Sequence, residues 1–176
     1  MTGTRTVIIC GDCGAFWDPA AEDAACVDAT HEHHRYDSHL HRTPVTLADG
    51  TSVIAVTFGS ADPYAREVVP DHGLYLDERW QPPWPHDHLD WPDFGVPDDP
   101  ALVVEVLEGV LGRARAGQRV EIGCYGGHGR TGTALACLAV LCGEAPDGAV
   151  AWVRASYCER AVETDDQVAF VRNLAP

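Results

Sequence analysis

Residues 119–143 read RVEIGCYGGHGRTGTALACLAVLCG, and the fold turns on how this stretch is divided. RVEIG is a short apolar run of strand length, which predicts a buried strand over 119–123. A glycine-dense turn follows, and TGTALACLAVLCG is nearly all apolar until Gly143 stops it, so it predicts a central helix buried on all sides. Strand, glycine loop and buried helix make an α/β unit, and the helix N-terminus of such a unit offers unpaired amides to an anion.

Working outward, Asp99-Pro100 supplies an N-cap and a first-turn proline. Val103, Val106, Leu107, Val110, Leu111 and Ala114 then recur at helical spacing up to Gly117. Two further helices are expected over 147–156 and 164–174. Upstream, the β-rich runs TPVTL and TSVIAVTF flank Ala48-Asp49-Gly50, which predicts a hairpin. Residues 60–99 are rich in Pro, Trp and Asp and read as ordered loop holding Trp80, Trp84 and Trp91, with one strand over 73–77, GLYLD. A loop of that length in a small domain points to function. His72, His86 and His88 fall in this loop region, and Cys137 and Cys142 in the apolar helix read as core. Cys158 carries no assignment and reads as exposed.

The 176 residues suit one domain with a small appendage, able to bury roughly 70% of its unfolded surface. All 12 basic residues are arginine, and the formal charge of −15 argues against a broad grip on nucleic acid or anionic lipid. No stretch approaches the ~20 apolar residues of a membrane span, and the N-terminus lacks the apolar core of a signal peptide, so a cytoplasmic protein is expected. In a reducing compartment its seven cysteines serve metal binding, catalysis or packing rather than a disulfide framework.

Within the loop, Cys124 and Arg130 bracket three glycines between strand and helix. One thiol and one guanidinium then surround a ring of inward-pointing amides, a nest suited to a tetrahedral dianion whose oxygens the arginine can grip in pairs. The same positive environment favours the thiolate, ready to attack phosphorus. The Thr131 hydroxyl is placed to hydrogen-bond the sulfur. CYGGHGRTG resembles the C-x5-R loop of the cysteine-dependent protein tyrosine and dual-specificity phosphatases. Rhodanese-like and arsenate-reductase-like proteins share C-x5-R, and Gly123 stands where the phosphatases usually carry histidine.

A second segment, WPDFGVP at 91–97, resembles the mobile acid loop of tyrosine phosphatases. Expulsion of an alkoxide or phenoxide needs a proton donor, and the resemblance assigns that role to Asp93. The resemblance also places Gln167 where the superfamily often orients the hydrolytic water; Thr164-x-x-Gln167 is equally a capping box for the last helix. The Arg-Pro-Gly of dual-specificity relatives is replaced by Tyr157-Cys158-Glu159-Arg160. The resemblance implies an α/β fold, a tyrosine-phosphatase-like central sheet flanked by helices over 46–176. Substrate phosphate would be bound by Tyr125, Gly126, Gly127, His128, Gly129 and Arg130, with His128 at the substrate mouth.

Residues 1–45 lie outside this resemblance and form a Cys/His-rich, zinc-ribbon-like segment. Cys10, Cys13, Cys26 and His31 have C-x2-C-x12-C-x4-H spacing, suited to a closed structural zinc site, with His33 or His34 able to replace His31. A redox C-x-x-C pair and unliganded thiols are the rival readings.

The expected activity is phosphomonoester hydrolysis through a phospho-cysteine, with no cofactor for catalysis. The expected substrate is a phosphorylated protein or a small phosphate ester; no nucleic acid and no membrane are expected as partners. Two other readings stay open. The same site can act on a small phosphorylated metabolite by elimination or cyclisation, or the chain can be a low-activity phospho-ligand binding module.

Overall fold

The turn at Gly50 (φ +84°) closes the first hairpin of the sheet, with Leu47 N–H donating to Thr51 O at 2.8 Å. It joins β4 (Arg42–Thr46) to β5 (Ser52–Thr57) in antiparallel register, as the Asp-Gly signal predicts. The computed structural model describes residues 4–10, 16–17, 28, 30–31, 33–39, 42–59 and 63–174. The chain divides into two compact units, Met1–Leu40 and His41–Pro176.

In the first unit, β1 (Thr4–Cys10) is flanked by β2 (Phe16–Trp17) and β3 (His33–His39) in a three-stranded antiparallel sheet. Cys10 lies opposite His33 in the register. Cys13 and Cys26, expected as metal ligands, lie outside the described residues. His31 Nε2 stands 3.6 Å from Asp28 Oδ2. Among the described residues no three His, Cys, Asp or Glu side chains gather as a metal site.

The second unit is a mixed α/β fold around a five-stranded sheet of order β4-β5-β8-β6-β7. β6 (His72–Tyr75), β7 (His86–His88) and β8 (Val120–Cys124) are parallel to their neighbours. The helices are α1 (Pro100–Arg115), α2 (Gly129–Leu141), α3 (Pro146–Ser156) and α4 (Asp165–Arg172). Asp99 caps α1 by accepting from Ala101 N and Leu102 N at 3.0 and 3.1 Å. In α2 every residue from Gly129 to Val140 is buried, as its unbroken apolar run requires. Among the described residues no helix is long and apolar enough to cross a membrane.

β8 runs through the centre of the sheet, with Ile54 of β5 opposite Glu121 and Tyr75 of β6 opposite Gly123. A Cβ on Gly123 would lie 2.5 Å from Val56 O, so the position has no room for a side chain, including the histidine usual in relatives. Glu121 sits in this strand with its side chain 1% exposed, a burial that only pairing permits. Arg66 supplies the pair with two hydrogen bonds of 2.7 and 3.0 Å, and Tyr75 Oη donates a third at 3.2 Å.

Expectations for the loop region and for two cysteines change. His86–His88 is a strand at the sheet edge rather than loop, too short and too polar to show period-two alternation. His72 opens β6, buried, with Nε2 2.9 Å from Asp87 Oδ2. Trp80 and Trp84 pack with Phe58, Tyr75, Ile54 and Val56 into a second core, so the tryptophan-rich loop is anchored by apolar burial. Cys137 is core, its thiol pushed up to about 12 by burial, whereas Cys142 is half-exposed beside Asp49 and Arg115 at the end of α2. Cys158 is buried, against the expectation of exposure.

Candidate active site

Cys124 ends β8 at the carboxyl edge of the parallel strands, where open α/β sheets hold their ligands. The chain then wraps through Gly127, whose φ of +74° is a conformation few other residues adopt, before α2 begins at Gly129. The Cys124 side chain is almost fully buried and its sulfur accepts two hydrogen bonds. Thr131 Oγ1 donates at 3.0 Å and Gly127 N at 3.3 Å. Both contacts fix the position of the sulfur at the floor of the loop.

Arg130, in the first turn of α2, is the hub of the site. Its Nη1 donates to Leu76 O at 2.9 Å and to Trp91 O at 3.4 Å. Its Nη2 lies 3.3 Å from Asp77 Oδ2 and 3.1 Å from Asp93 Oδ1. The 6% exposed guanidinium therefore ties the phosphate loop to the end of β6 and to the Trp91–Asp93 segment. The Asp93 side chain itself is 61% exposed.

The segment carrying Asp93 is a tight turn held at both ends. Gly95 N donates to Pro92 O at 3.0 Å, Trp91 Nε1 donates to Gly95 O at 3.0 Å, and Phe94 adopts a left-handed φ of 57°. Trp91 is buried with its ring edge-on to Phe170. α4 grips the same turn: Thr164 Oγ1 donates to Phe94 O at 3.1 Å and Gln167 Nε2 to Gly95 O at 3.3 Å. Gln167 is fully buried; its backbone N–H is capped by Thr164 Oγ1, and its Oε1 accepts from Glu163 N at 2.9 Å. The capping box read in the sequence is therefore present at the backbone, and the side-chain amide contacts Gly95 O.

His128 is 2% exposed, so its ring is buried rather than opening on solvent at the mouth. Its carbonyl accepts from Gly132 N at 2.8 Å and Val162 N at 3.3 Å. Tyr125 and Gly126 are partly exposed at the rim. Three residues without a sequence signal join them. Tyr157 Oη donates to Gly127 O at 2.6 Å, and burial, reinforced by Cys124 and Cys158, drives its phenol well above the usual range, so it stays a donor. Asp77 is buried between Arg130 and Arg79. Burial pushes its carboxyl up, but the Arg79 hydrogen bonds and the charge of Arg130 outweigh this and hold it below the usual range. A cavity of about 380 Å³ beside Arg130 is lined by Asp77, Arg79, His88, Asp90 and Trp91.

A sheet ending in a thiol, an anion nest, an arginine and a facing carboxylate defines the cysteine-dependent phosphatase class. The chain belongs to the family described as PTP-SAK, Swiss Army Knife protein, DSP-PTPase phosphatase domain, whose match spans residues 82–176. It is accordingly a phosphatase of the phosphomonoesterase type. The uncharacterized protein MJECL20 of Methanocaldococcus jannaschii is 37% identical over 110 residues, covering 56% of this chain and 71% of that protein. The uncharacterized protein MJ0215 of the same organism is 36% identical over 110 residues, covering 56% and 66%. Among solved structures, Tk-PTP in its active form aligns with a TM-score of 0.53 and 28% identity, covering 60% of this chain and 78% of its own. Kinase associated phosphatase, with its catalytic cysteine changed to serine, aligns with a TM-score of 0.59 over 75% and 92% of the two chains; at 18% identity that likeness shows the fold.

Proposed function

We propose that this protein hydrolyses phosphomonoesters through a phospho-cysteine formed on Cys124. In this scheme Arg130 and the amides of residues 125–130 hold the equatorial phosphate oxygens. Cys124 attacks in line, Asp93 protonates the departing oxygen, and Asp93 then takes a proton from the water that frees the phosphate. Thr131 stabilises the sulfur as it leaves phosphorus, and Gln167 orients that water. The carrying observation is the convergence of three elements: a doubly hydrogen-bonded Cys124 sulfur, with Arg130 on the same loop, and Asp93 3.1 Å from that arginine. Guanidinium and amides supply the countercharge, so the scheme routes no step through a metal.

Hydrolysis, elimination and ring closure can all release phosphate, so the organic product, read by mass spectrometry, separates them: hydrolysis leaves the parent alcohol or phenol. With an aryl phosphate and a chelator present, ³¹P NMR is expected to show inorganic phosphate growing as the ester disappears. A cyclic or transferred phosphate product, or loss of turnover on chelation, overturns the scheme. The rim-exposed Tyr125 and the acidic body favour a dual-specificity-like or small-molecule substrate over an acidic phosphoprotein. In this reading residues 1–45 form a structural zinc ribbon that takes no part in the chemistry, and the protein is cytoplasmic.

Tyr157 has a positioning role in this reading, through Gly127 to the Cys124 sulfur. Tyr157→Phe removes one buried hydrogen bond, and about 1 kcal/mol lost from loop alignment corresponds to roughly fivefold in kcat. Steady-state kinetics beside thermal unfolding check this: kcat falls while KM for the same ester moves little. An unchanged kcat with a lowered Tm would reduce Tyr157 to packing.

A further inference from the structure

We infer that Arg79 forms a second anion subsite on the leaving-group side of the phosphate loop, selecting phosphomonoesters whose leaving group carries one more anionic group, carboxylate or phosphate. The inference rests on the hydrolase reading above and specifies its substrate.

The first observation is a shared counter-ion. Asp77 Oδ2 meets Arg79 Nη2 at 2.6 Å and Arg130 Nη2 at 3.3 Å, while Oδ1 accepts from Arg79 Nε at 2.8 Å and from Arg79 N at 3.2 Å. Asp77 thus bridges the two guanidinium groups, while Arg130 also faces Asp93 at 3.1 Å and Arg79 has Asp77 as its own close partner. Asp77 is buried, its side chain 4% exposed, yet the Arg79 side chain that it fixes is 59% exposed. Arg79 Nη1 has no hydrogen-bond partner among the described residues. An exposed arginine whose guanidinium is held by two hydrogen bonds has lost rotamer freedom before any ligand arrives, which is preorganisation for binding.

The second observation is where this cation stands. Its Cζ lies 5.7 Å from the ring centroid of Tyr125, the residue after the nucleophile. Its charge is held mainly by the Asp77 hydrogen bonds and then by the negative charges of Asp77 and Asp93, so it is also a neighbour of the proposed acid. Asp93 must meet the departing oxygen. A cation beside Asp93 and over the loop rim therefore faces the rest of the leaving group, while Arg130 takes the transferred phosphate. Glu78 and Asp90 line the same cavity. Their charge opposes a polyanion, and a single exposed guanidinium beside them matches no more than one further anionic group.

The test compares kcat/KM for phenyl phosphate, the three carboxyphenyl phosphates and a phenylene bisphosphate at low ionic strength, corrected for leaving-group acidity. Wild-type protein is expected to favour at least one doubly anionic ester over phenyl phosphate by about tenfold, an advantage that ~1 M salt erodes. In Arg79→Gln the ratio is expected to fall below about threefold, with Arg79→Lys in between, since lysine keeps the charge without the fork. The carboxylate and bisphosphate arms identify which anion the subsite takes. No advantage for any doubly anionic ester in wild type, or the full advantage retained in Arg79→Gln, overturns the subsite. Should Arg79→Gln not fold, absence of a salt-sensitive advantage in wild type decides against it equally. Turnover surviving in Cys124→Ser would instead sink the hydrolase reading, whatever the substrate ratios.

Discussion

Cys124→Ser is expected to lower kcat on an aryl phosphate by at least ~10³-fold, about 4 kcal/mol of transition-state stabilisation, while leaving ester binding in place. The asymmetry comes from what the substitution spares. A serine oxygen keeps the two donors that face the sulfur, Thr131 Oγ1 and Gly127 N, and leaves Arg130 and the loop amides untouched. What it removes is the sulfur nucleophile, and a hydroxyl is a far weaker nucleophile toward phosphorus than a thiol-derived one. The burial of Cys124 within a tight loop makes the near-isosteric change well tolerated in packing. Single-turnover kinetics beside calorimetric titration with the intact ester measure both halves. Retention of more than about a tenth of the activity would show that the nucleophile lies elsewhere.

Asp93→Asn is expected to cost about 10²- to 10⁴-fold in kcat on phenyl phosphate and much less on p-nitrophenyl phosphate. Nitrophenolate departs without a proton, phenolate does so poorly, and the difference isolates the acid step. The branch of the pH profile that declines as pH rises should vanish, because that decline reports loss of the acid's proton and asparagine has none to lose. KM should hold or fall. Asp93 sits 3.1 Å from Arg130, where it competes with a phosphate dianion, and neutralising it leaves that guanidinium more attractive to substrate. With its side chain 61% exposed, the substitution buries no unpaired group, so the melting temperature should barely move. Equal losses on both esters, or a persistent high-pH decline, would assign the proton to another group.

Much of the fold was legible before any coordinate, and the reason is local. The hairpin around Gly50, the α1 cap at Asp99, β8 and the buried helix α2 each announce themselves within a dozen residues, through turn chemistry or periodicity. Cys124, Arg130 and Thr131 share one loop, so their meeting at the sulfur follows from their spacing. Asp93 was identified by resemblance of its segment, and the structure sets it against Arg130.

Other features carried no such signature. His86–His88 becomes a strand because β6 offers it an edge, not because three polar residues prefer extension. Glu121 looks out of place in a buried strand until Arg66, 55 residues away, reaches it. Tyr157 read as a departure from the dual-specificity pattern, yet across 30 residues it braces Gly127.

Sequence therefore established the class of chemistry, because nucleophile, anion nest and acid are encoded in two short segments whose geometry is set by neighbouring residues. The surroundings of that chemistry came from chain distant in sequence. Asp77 meets Arg130 across 53 residues, and with it comes Arg79, because β6 and β8 run side by side and end at the same edge of the sheet. Hydrogen bonds between such partners depend on strand order and register, which are settled by the packing of the whole core and leave no periodic trace in either segment.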